Sequence, residues 1–599
     1  MDPISPAQTT PSALSRYNAF LLLVAGLGGL LYGVDVGIIG GAYPYLAATS
    51  GLTPSQLSVI VAAVLLGSVF STLFAGLLAD WMGRKPLMIL SGAAFAVSIP
   101  IIALSQGFEP LFLGRLLQGI SGGFIGIVVP LYLAECLGAS NRGKGTAIFQ
   151  WLLTLGIVAA ALVGIYYSYR VQSVAAASDA ATLFAFKNEA WRRIFWVSLP
   201  PGILFILGSL AVSESPRWLF LRGRRDQALA ALLRSRTTQQ AELELNEMVE
   251  ASHQKAQKSA GQRTRESLLQ RKYVIPFLLA LVILSCNTAT GINSIVGYNA
   301  GILMQSGLSD LQAHWGYVLF TTINFLMTMV GMFLVDRKGR KFLLTVGTSG
   351  IIVSLIGVGT LFLRTEKLNV DAGARLQALV TSNQDLTFQF DPSAAQKLLA
   401  TTGAAGAVID TSHASLAVIY SYGDFTATTN YARSDDTAAA PIHIDRAACI
   451  PSNSVESFFQ NPFADLNTAR TAPLRIQKAI IGQIPSTNHG WIVALWLYLF
   501  VAFFAMGPGV CVWLALSELM PTRIRSNGMS IALVSNQLVS TTLAAIFLPF
   551  VSKHGYSSIF FLFACCTVVY FITAAFFLPE TKGKTLEEIE AHFEGKTIH

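Results

Sequence analysis

The hexapeptide DWMGRK at residues 80–85 recurs as DRKGRK at residues 336–341, an offset of 256 residues. In both places it joins two long apolar segments, and four of its six residues are the same in each copy. Charged side chains are costly inside a bilayer, so each copy predicts a short turn at the membrane surface between two crossing helices. The recurrence indicates an internal repeat.

A second pattern repeats at a different offset. Glu135, with Arg142 seven residues later, recurs as Glu518 with Arg525, an offset of 383 residues. The two offsets differ by 127 residues (383 minus 256), so the second copy is longer by about that number, and the polar run 364–489 is where the excess fits. Two parallel six-helix repeats are one design of secondary transporters, which bind substrate between the repeats near the membrane midplane.

The composition agrees with a membrane protein. Of the 599 residues, 12% are charged and 53% are hydrophobic, whereas soluble domains have about 25% charged residues. These values exclude a soluble enzyme, a disordered scaffold and a small disulfide-built module. A crossing helix needs about 20 mostly apolar residues, and the chain contains twelve such segments. We expect them near residues 18–45, 56–79, 86–106, 110–134, 144–167, 194–213, 273–303, 313–335, 342–363, 490–517, 527–551 and 556–578.

The distribution of charge orients these helices. Basic turns follow the second, fourth, eighth and tenth segments, while the links 46–55, 107–109 and 304–312 contain no Lys or Arg. The basic link 168–193 is a local exception. Basic links stay cytoplasmic, so we expect both termini in the cytoplasm. Residues 217–272 hold 12 Lys or Arg and 6 Asp or Glu, which is six of the net charge of +8; the basic balance therefore reflects orientation and not nucleic-acid binding.

No residue pattern points to catalysis or to a metal centre. The six cysteines form no CxxC motif, and five of them lie in or beside apolar segments, where Cys behaves as a small apolar residue. No nucleophile–base constellation occurs. We expect neither an enzyme nor a bound metal or cofactor.

Nine motifs occur in a fixed order along the chain. They are residues 28–35 (GGLLYGVD), 80–85, 114–115 (GR), the pair Glu135/Arg142, 214–217 (ESPR), 291–293 (GIN), 336–341, 507–513 (GPGVCVW) and 579–583 (PETKG). With them the chain resembles the sugar porter family of the major facilitator superfamily, except in residues 1–15 and 364–489. The resemblance implies an all-α membrane protein with two six-helix halves, transporting hexoses or pentoses by alternating access.

This fold sets the expected domain boundaries. They are a cytoplasmic N-terminus 1–17, a first half 18–213, a cytoplasmic helical linker 214–272, helices seven to nine 273–363, an external insert 364–489, helices ten to twelve 490–578 and a cytoplasmic C-terminus 579–599. For the insert the sequence leaves two alternatives open, a compact β-containing cap and a partly disordered loop. It has no Asn-x-Ser/Thr site, which favours a bacterial plasma membrane facing a periplasm. We expect a monomer in the lipid bilayer.

Asp35 lies within an apolar segment, where a carboxylate is costly and usually functional. Burial favours its protonated form and a nearby cation favours its ionised form, so the group can exchange a proton. The resemblance brings Arg115 to it, and implies that proton-coupled members pair Asp with Arg here while facilitative members have Asn in place of Asp35. Proton symport is therefore the first expectation, and a fixed ion pair is the structural alternative.

A sugar needs neutral hydrogen-bonding groups and an aromatic face. The resemblance assigns substrate binding to Gln150, Ile157, Asn293, Asn324, Trp513 and Asn536, and places Asn287 and Thr288 where the family usually has two Gln. Helix–helix hydrogen bonding is the alternative for any single amide. Gln537 and Ala505 also depart from frequent family residues, so neither glucose nor xylose can be assumed as the substrate.

The resemblance also implies gates. It assigns gating to Tyr298, at the external side, and to Gly507 and Pro508. It assigns a cytoplasmic ion-pair network, which closes the inner side in the outward-facing state, to Arg84, Glu135, Arg142, Glu214, Arg340, Glu518 and Arg525. The complete prediction is a proton-coupled monosaccharide importer. Its alternatives are a proton-independent facilitator and a non-transporting sugar sensor.

Overall fold

The computed structural model describes residues 11–137, 139–261, 270–400, 409–436, 441–451, 457, 464–521, 524–580 and 593. Within these ranges, the side chains of 11–13, 139–144, 146, 251–261, 336, 513–518 and 525–527 are not described. The described residues contain twelve helical spans that are long and apolar enough to cross a membrane, six before the linker and six after it. The twelve-helix prediction is confirmed.

The first six spans are formed by seven helices, because the sixth is broken just before a pair of prolines, which lack the N–H that a helix interior needs. They are α1 (Pro11–Thr49), α2 (Pro54–Met82), α3 (Arg84–Ala103), α4 (Phe108–Cys136), α5 (Ala139–Ala177), α6 (Ala180–Trp196) and α7 (Leu199–Ala211). Helices α1 and α5 approach closely through glycine: a Cβ on Gly33 would lie 1.8 Å from the carbonyl oxygen of Leu153. Small residues permit such contacts between membrane helices.

One sequence expectation needs correction in this half. The link expected at 168–193 consists of two residues, Ser178 and Asp179, because α5 continues to Ala177 and α6 begins at Ala180. The start of α6 mixes apolar and charged residues at helical spacing, so it is an amphipathic helix that a search for continuous apolar stretches misses.

Three short helices form the linker between the halves. They are α8 (Pro216–Leu221), α9 (Arg225–Leu233) and α10 (Thr238–Gly261). The linker lies at the end of the bundle that carries the turn after α2, where Trp218 and Arg222 donate hydrogen bonds to the carbonyl oxygen of Asp80. We call this the linker end of the bundle.

The second half begins with α11 (Arg271–Ala289), α12 (Ile292–Gln305), α13 (Asp310–Lys338) and α14 (Arg340–Glu366). Gly291, at φ +83°, separates α11 from α12 within one span. The two repeated hexapeptides form matching turns. Gly83 (φ +102°) lies between α2 and α3, and Gly339 (φ +89°) lies between α13 and α14. These left-handed conformations favour glycine, which explains the shared glycine of the repeat.

The described residues of the insert after α14 form a β-containing domain, which agrees with the first of its two sequence alternatives. Its elements are β1 (Val370–Asp371), α15 (Gly373–Gln377), β2 (Leu386–Phe388), α16 (Pro392–Leu399), β3 (Ala414–Tyr422), β4 (Phe425–Thr428), β5 (Ala432–Arg433), β6 (Ile442–Ile444), α17 (Leu466–Thr471) and β7 (Leu474–Gln483). One sheet has the order β1-β7-β3-β4, with β5 beside β3, and β2 pairs with β6. The domain has its own apolar core, which includes Leu416, Val418 and Ile481.

The insert is anchored to the second half at both of its ends. Strand β1 follows α14 directly and pairs antiparallel with β7, with Val370 opposite Ile481. The chain then enters α18 (Thr487–Met506), α19 (Pro508–Leu519), α20 (Arg525–His554) and α21 (Tyr556–Ile572). We call the end of the bundle that carries the insert the insert end. Between the insert and the bundle is a cavity of about 420 Å³, lined by Tyr43, Asn430, Tyr431 and Tyr556 among others.

Candidate functional site

Asp35 lies in the middle of α1 and is 1% exposed. Neither carboxyl oxygen has a hydrogen-bond partner among the described residues. The carboxyl group packs against Gly122 of α4, where a Cβ would lie 2.6 Å from Oδ2. Glycine at this position therefore makes room for the carboxyl group between the two helices.

Arg115 is also buried on α4, with 1% exposure, seven residues before Gly122. Its Nη1 donates to Oε1 of Gln118 at 2.6 Å, and its guanidinium lies 5.5 Å from the ring centre of Phe195. The charged atoms of Asp35 and Arg115 are more than 4.0 Å apart, so the two residues do not form an ion pair in this conformation. The fixed-pair alternative is not the arrangement observed.

Four of the amide side chains predicted to bind substrate have at least one polar atom without a hydrogen-bond partner among the described residues. Gln150 and Asn324 are half-buried, and neither side chain is hydrogen-bonded. Gln150 precedes Trp151 and Asn324 precedes Phe325, and these two rings stack at 5.6 Å across the halves. Gln150 of α5 and Asn324 of α13 are therefore brought to the same level of the bundle.

The other two amides lie on the broken seventh span. The Oδ1 atom of Asn287 is buried and unpaired among the described residues. The Nδ2 atom of Asn293 donates to Ser540 at 2.6 Å. On the opposite half, Ile157 is buried against Gly37. The two halves thus contribute amides and an apolar wall, while Trp513 lies outside the described side chains.

Two other predicted residues are occupied by contacts between helices. Thr288 donates to the carbonyl oxygen of Asn536 at 3.2 Å, and Asn536 donates to the carbonyl oxygen of Leu284 at 2.7 Å. These bonds connect α11 to α20. Hydrogen bonding between helices was the alternative to substrate binding for each predicted amide.

Tyr298 closes the insert end above these amides. Its ring stacks on Phe547 at 4.6 Å and meets Tyr43 edge-on at 5.1 Å. Its hydroxyl donates to Ser58 of α2 and lies 3.3 Å from both Ser58 Oγ and the carbonyl oxygen of Ala544. Tyr298 is 1% exposed, so this side of the site is sealed.

A second sealing residue, Tyr317 of α13, was not predicted from the sequence. Its hydroxyl donates to the carbonyl oxygen of Gly37 at 2.8 Å, and its ring lies against Gly40. The signal in the sequence was the spacing of glycines along α1. Because glycine has no side chain, it leaves the backbone carbonyl oxygens of α1 accessible to the other half. Gly507 and Pro508, which are predicted to act in gating, lie where α18 ends and α19 begins, and Gly507 packs closely against α14.

The described members of the predicted ion-pair network lie at the linker end, and in the first half Arg84 and Glu135 are buried while Glu214 is half-buried. Arg84 pairs with Glu135 through two contacts of 2.9 Å, and Ser215 donates to the same carboxylate. Glu214 accepts the backbone N–H groups of Arg84 and Lys85 at the start of α3. A carboxylate at a helix N-terminus is stabilised by these free N–H groups, although burial raises the pKa of Glu214.

The second half repeats this arrangement with a residue that the sequence analysis missed. Glu580 accepts the backbone N–H groups of Arg340 and Lys341 at the start of α14, each at 3.2 Å. The motif PETKG at 579–583 could have indicated this contact, because its Glu corresponds to Glu214 of the motif ESPR. Arg142, Glu518 and Arg525 lie outside the described side chains.

Known proteins agree with this architecture. Residues 21–380 and 476–593 match the family model described as "Sugar (and other) transporter". The unmatched residues 381–475 fall within the insert.

The chain is 25% identical to a glucose transporter of Staphylococcus epidermidis, over 97% of this chain and 99% of that protein. It is 26% identical to the human proton myo-inositol cotransporter (96% and 82%) and 24% identical to the galactose-proton symporter of Escherichia coli K12 (95% and 93%).

Solved structures share the fold. A partially occluded, inward-open structure of the xylose transporter of E. coli superposes with a TM-score of 0.61 at 18% identity, covering 94% of this chain and all of that one. A structure of a proton–xylose symporter of the major facilitator superfamily gives 0.60 at 21% identity, covering 97% and 99%. The match to the family model extends over most of the chain and both halves, and the protein is therefore a multi-pass membrane transporter, not an enzyme, that belongs to the sugar transporter family.

Proposed function

We propose that the protein imports a monosaccharide together with a proton, with Asp35 as the proton-coupling group. The supporting observation is a fully buried carboxyl group that has no hydrogen-bond partner among the described residues and no ion pair with the nearest candidate cation. An isolated ionised carboxylate is strongly disfavoured in such surroundings, so this geometry suits protonated Asp35.

The coupling depends on a change in the distance between Asp35 and Arg115. Both residues belong to the first half, on α1 and α4, and Arg115 is held by Gln118 in the present conformation. If a small shift of α1 against α4 brings the carboxyl group to the guanidinium, the ionised form gains a partner and the proton leaves. Proton binding and helix position are then linked.

The proposed sugar site lies between the halves. Gln150 from the first half and Asn287, Asn293 and Asn324 from the second offer amide groups suited to sugar hydroxyls. The seal at Tyr298 and Tyr317 separates them from the insert end, so in this conformation the insert side is shut.

The orientation follows from charge. We propose that the linker end and both termini face the cytoplasm, with the insert outside, because the basic turns collect at the linker end. The conformation described is then closed to the outside. The proposed location is a bacterial plasma membrane, where the protein acts as a monomer.

Uptake into proteoliposomes tests the function. Purified protein is reconstituted and given labelled glucose, galactose, xylose, arabinose or myo-inositol, with and without an inward proton gradient. We expect one or more of them to accumulate above the external concentration only with the gradient. Asp35→Asn should abolish accumulation and retain counterflow exchange, while Asp226→Asn, an exposed carboxylate in the linker, should accumulate normally.

The other outcomes separate the alternatives. Uptake that equilibrates without responding to the gradient would identify a facilitator. No uptake of any of these sugars, with monodisperse protein, would favour a sensor. Full accumulation by Asp35→Asn would contradict the assignment of Asp35.

A further inference from the structure

A polar cluster joins the two halves at the insert end, away from Asp35. Asp310 begins α13 in the second half, and its carboxylate accepts hydrogen bonds from Tyr45 of α1 at 2.9 Å and Ser168 of α5 at 2.6 Å. One turn further along α13 lies His314, which is 0% exposed. Its ring stacks on Tyr45 with centres 5.5 Å apart.

Both nitrogens of the His314 ring face oxygen atoms that can only accept hydrogen bonds. Nδ1 lies 2.9 Å from the carbonyl oxygen of Asp310, and Nε2 lies 3.1 Å from the carbonyl oxygen of Gly41 on α1. The carboxylate Oδ1 of Asp310 is a further acceptor, 3.5 Å from Nδ1.

A neutral imidazole has one N–H group and one unprotonated nitrogen, whereas the imidazolium has two N–H groups. In this site a neutral ring would direct a lone pair at a carbonyl oxygen and leave a buried repulsive contact, which is costly. The charged ring satisfies both carbonyls and faces the carboxylate of Asp310. We infer that His314 is a second proton-binding site, separate from Asp35, which binds a proton when the insert end closes.

The groups around the ring support this inference. Asp310 on its own helix supplies the one carboxylate that contacts the ring among the described residues, and α1 supplies Tyr45. From α5, Gly164 lies against the ring, and Ser168 bonds to Asp310. No described Lys or Arg side chain bonds to the ring or to Asp310.

Other titratable groups on neighbouring helices bond to different partners. On α5, Tyr169 accepts a hydrogen bond from Trp315. On α12, Tyr298 bonds to Ser58. On α18, His489 bonds to Ser306, and the hydroxyl of Tyr498 has no partner among the described residues. The negative charge of Asp310 is therefore the main electrostatic influence on the ring.

Opening of the insert end would dismantle this site. The acceptor for Nε2 and both donors to Asp310 belong to the first half, while the ring and the carboxylate belong to the second. Separation of the halves removes the carbonyl of Gly41 and exposes the ring to external water, where it can lose its proton. External acid should therefore favour closure through His314 even in the absence of sugar.

A distance measurement across the insert end tests the inference. Spin labels are placed on the full-length protein in lipid nanodiscs, at Gln106→Cys in the first half and Lys553→Cys in the second, in a background without the six native cysteines. Both sites are exposed. With one proton involved, the ratio of closed to open protein can rise by up to about tenfold per pH unit as the pH falls. We expect a rise between pH 7.5 and pH 5.

Matched variants isolate the ring. His314→Gln should lose the acid-induced closure, whereas His413→Gln, an exposed histidine of the insert, should keep it. In an Asp35→Asn background, His314→Gln should lower the acid-induced closure by the same factor as in the wild type, which separates this inference from the proposed transport function. If His314→Gln does not fold, Asp310→Asn should still move the closure to lower pH.

The inference would be overturned by a His314→Gln variant that closes with acid as the wild type does. It would equally be overturned by a wild type that shows no closure with acid, or by an Asp310→Asn variant with an unchanged pH midpoint.

Discussion

The two ends of the helical bundle are held together by different kinds of contact. At the insert end, hydrogen bonds cross from one half to the other: Tyr317 reaches the backbone of Gly37, Tyr298 reaches Ser58, and Asp310 receives a hydroxyl from Tyr45. At the linker end, the described ion pairs and carboxylate contacts join helices of the same half, as in the pair of Arg84 with Glu135.

This difference separates what holds a half together from what sets its conformation. Contacts inside a half persist when the halves rock against each other, so they contribute to folding stability. Contacts between halves exist in one conformation only, so they bias the equilibrium between conformations. Substitutions at the two ends should therefore affect different measurements.

The largest effect is expected from Arg84→Met. Its partner Glu135 would remain buried without a cation, and loss of one member of a buried pair costs about 3–5 kcal/mol. The unfolding midpoint of the purified variant should fall markedly. Arg193→Met is the control, because its pair with Glu189 is half exposed at both side chains and such pairs contribute below about 1 kcal/mol. Equal losses in the two variants would contradict the assigned role of burial.

A smaller effect is expected at the insert end from Tyr317→Phe. It removes one hydrogen bond between halves, with a net value of about 1 kcal/mol, so the ratio of closed to open protein should fall about fivefold with little change in unfolding. The Gln106/Lys553 spin-label distances measure this ratio. Tyr498→Phe is the control, since that hydroxyl is buried and has no partner among the described residues. An equal change of the closed-to-open ratio in the control variant would contradict the role assigned to the Tyr317 hydroxyl.

The smallest effect is expected where the insert touches the first half. Lys187 of α6 lies 3.6 Å from Asp436 of the insert, and Asn430 donates to the carbonyl oxygen of Leu52. Because the insert is anchored to the second half, these contacts also favour closure. Lys187→Met should lower the ratio of closed to open protein about twofold, which corresponds to about 0.5 kcal/mol, within the range of partly exposed pairs. Lys397 is exposed on α16 of the insert, so Lys397→Met should leave this ratio unchanged. A change of the ratio in both variants would indicate a general effect of charge.

Much of this organisation could be predicted from the sequence. Continuous apolar stretches fixed the number of membrane helices, and the repeated hexapeptides gave matching turns at Gly83 and Gly339. The excess length of the second repeat located the insert. Each of these signals is local, or depends on a simple comparison of two segments.

The missed features depend on long-range geometry. Strands β1 and β7 pair although more than 100 residues separate them along the chain, and no local pattern encodes that pairing. The separation of Asp35 from Arg115 depends on how α1 and α4 are rotated against each other. His314 could not be distinguished in the sequence from an ordinary polar residue near a helix start, because its significance comes from a carbonyl oxygen in the other half.

Proton movement driven by sugar tests the central claim most directly. Proteoliposomes with no initial pH gradient, containing a trapped pH-sensitive dye, receive a sugar that the uptake panel has identified as a substrate. We expect sugar entry to acidify the interior in the wild type, and Asp35→Asn to produce no acidification while still exchanging sugar. Sugar uptake by the wild type without any change in internal pH would contradict the account and identify the protein as a facilitator.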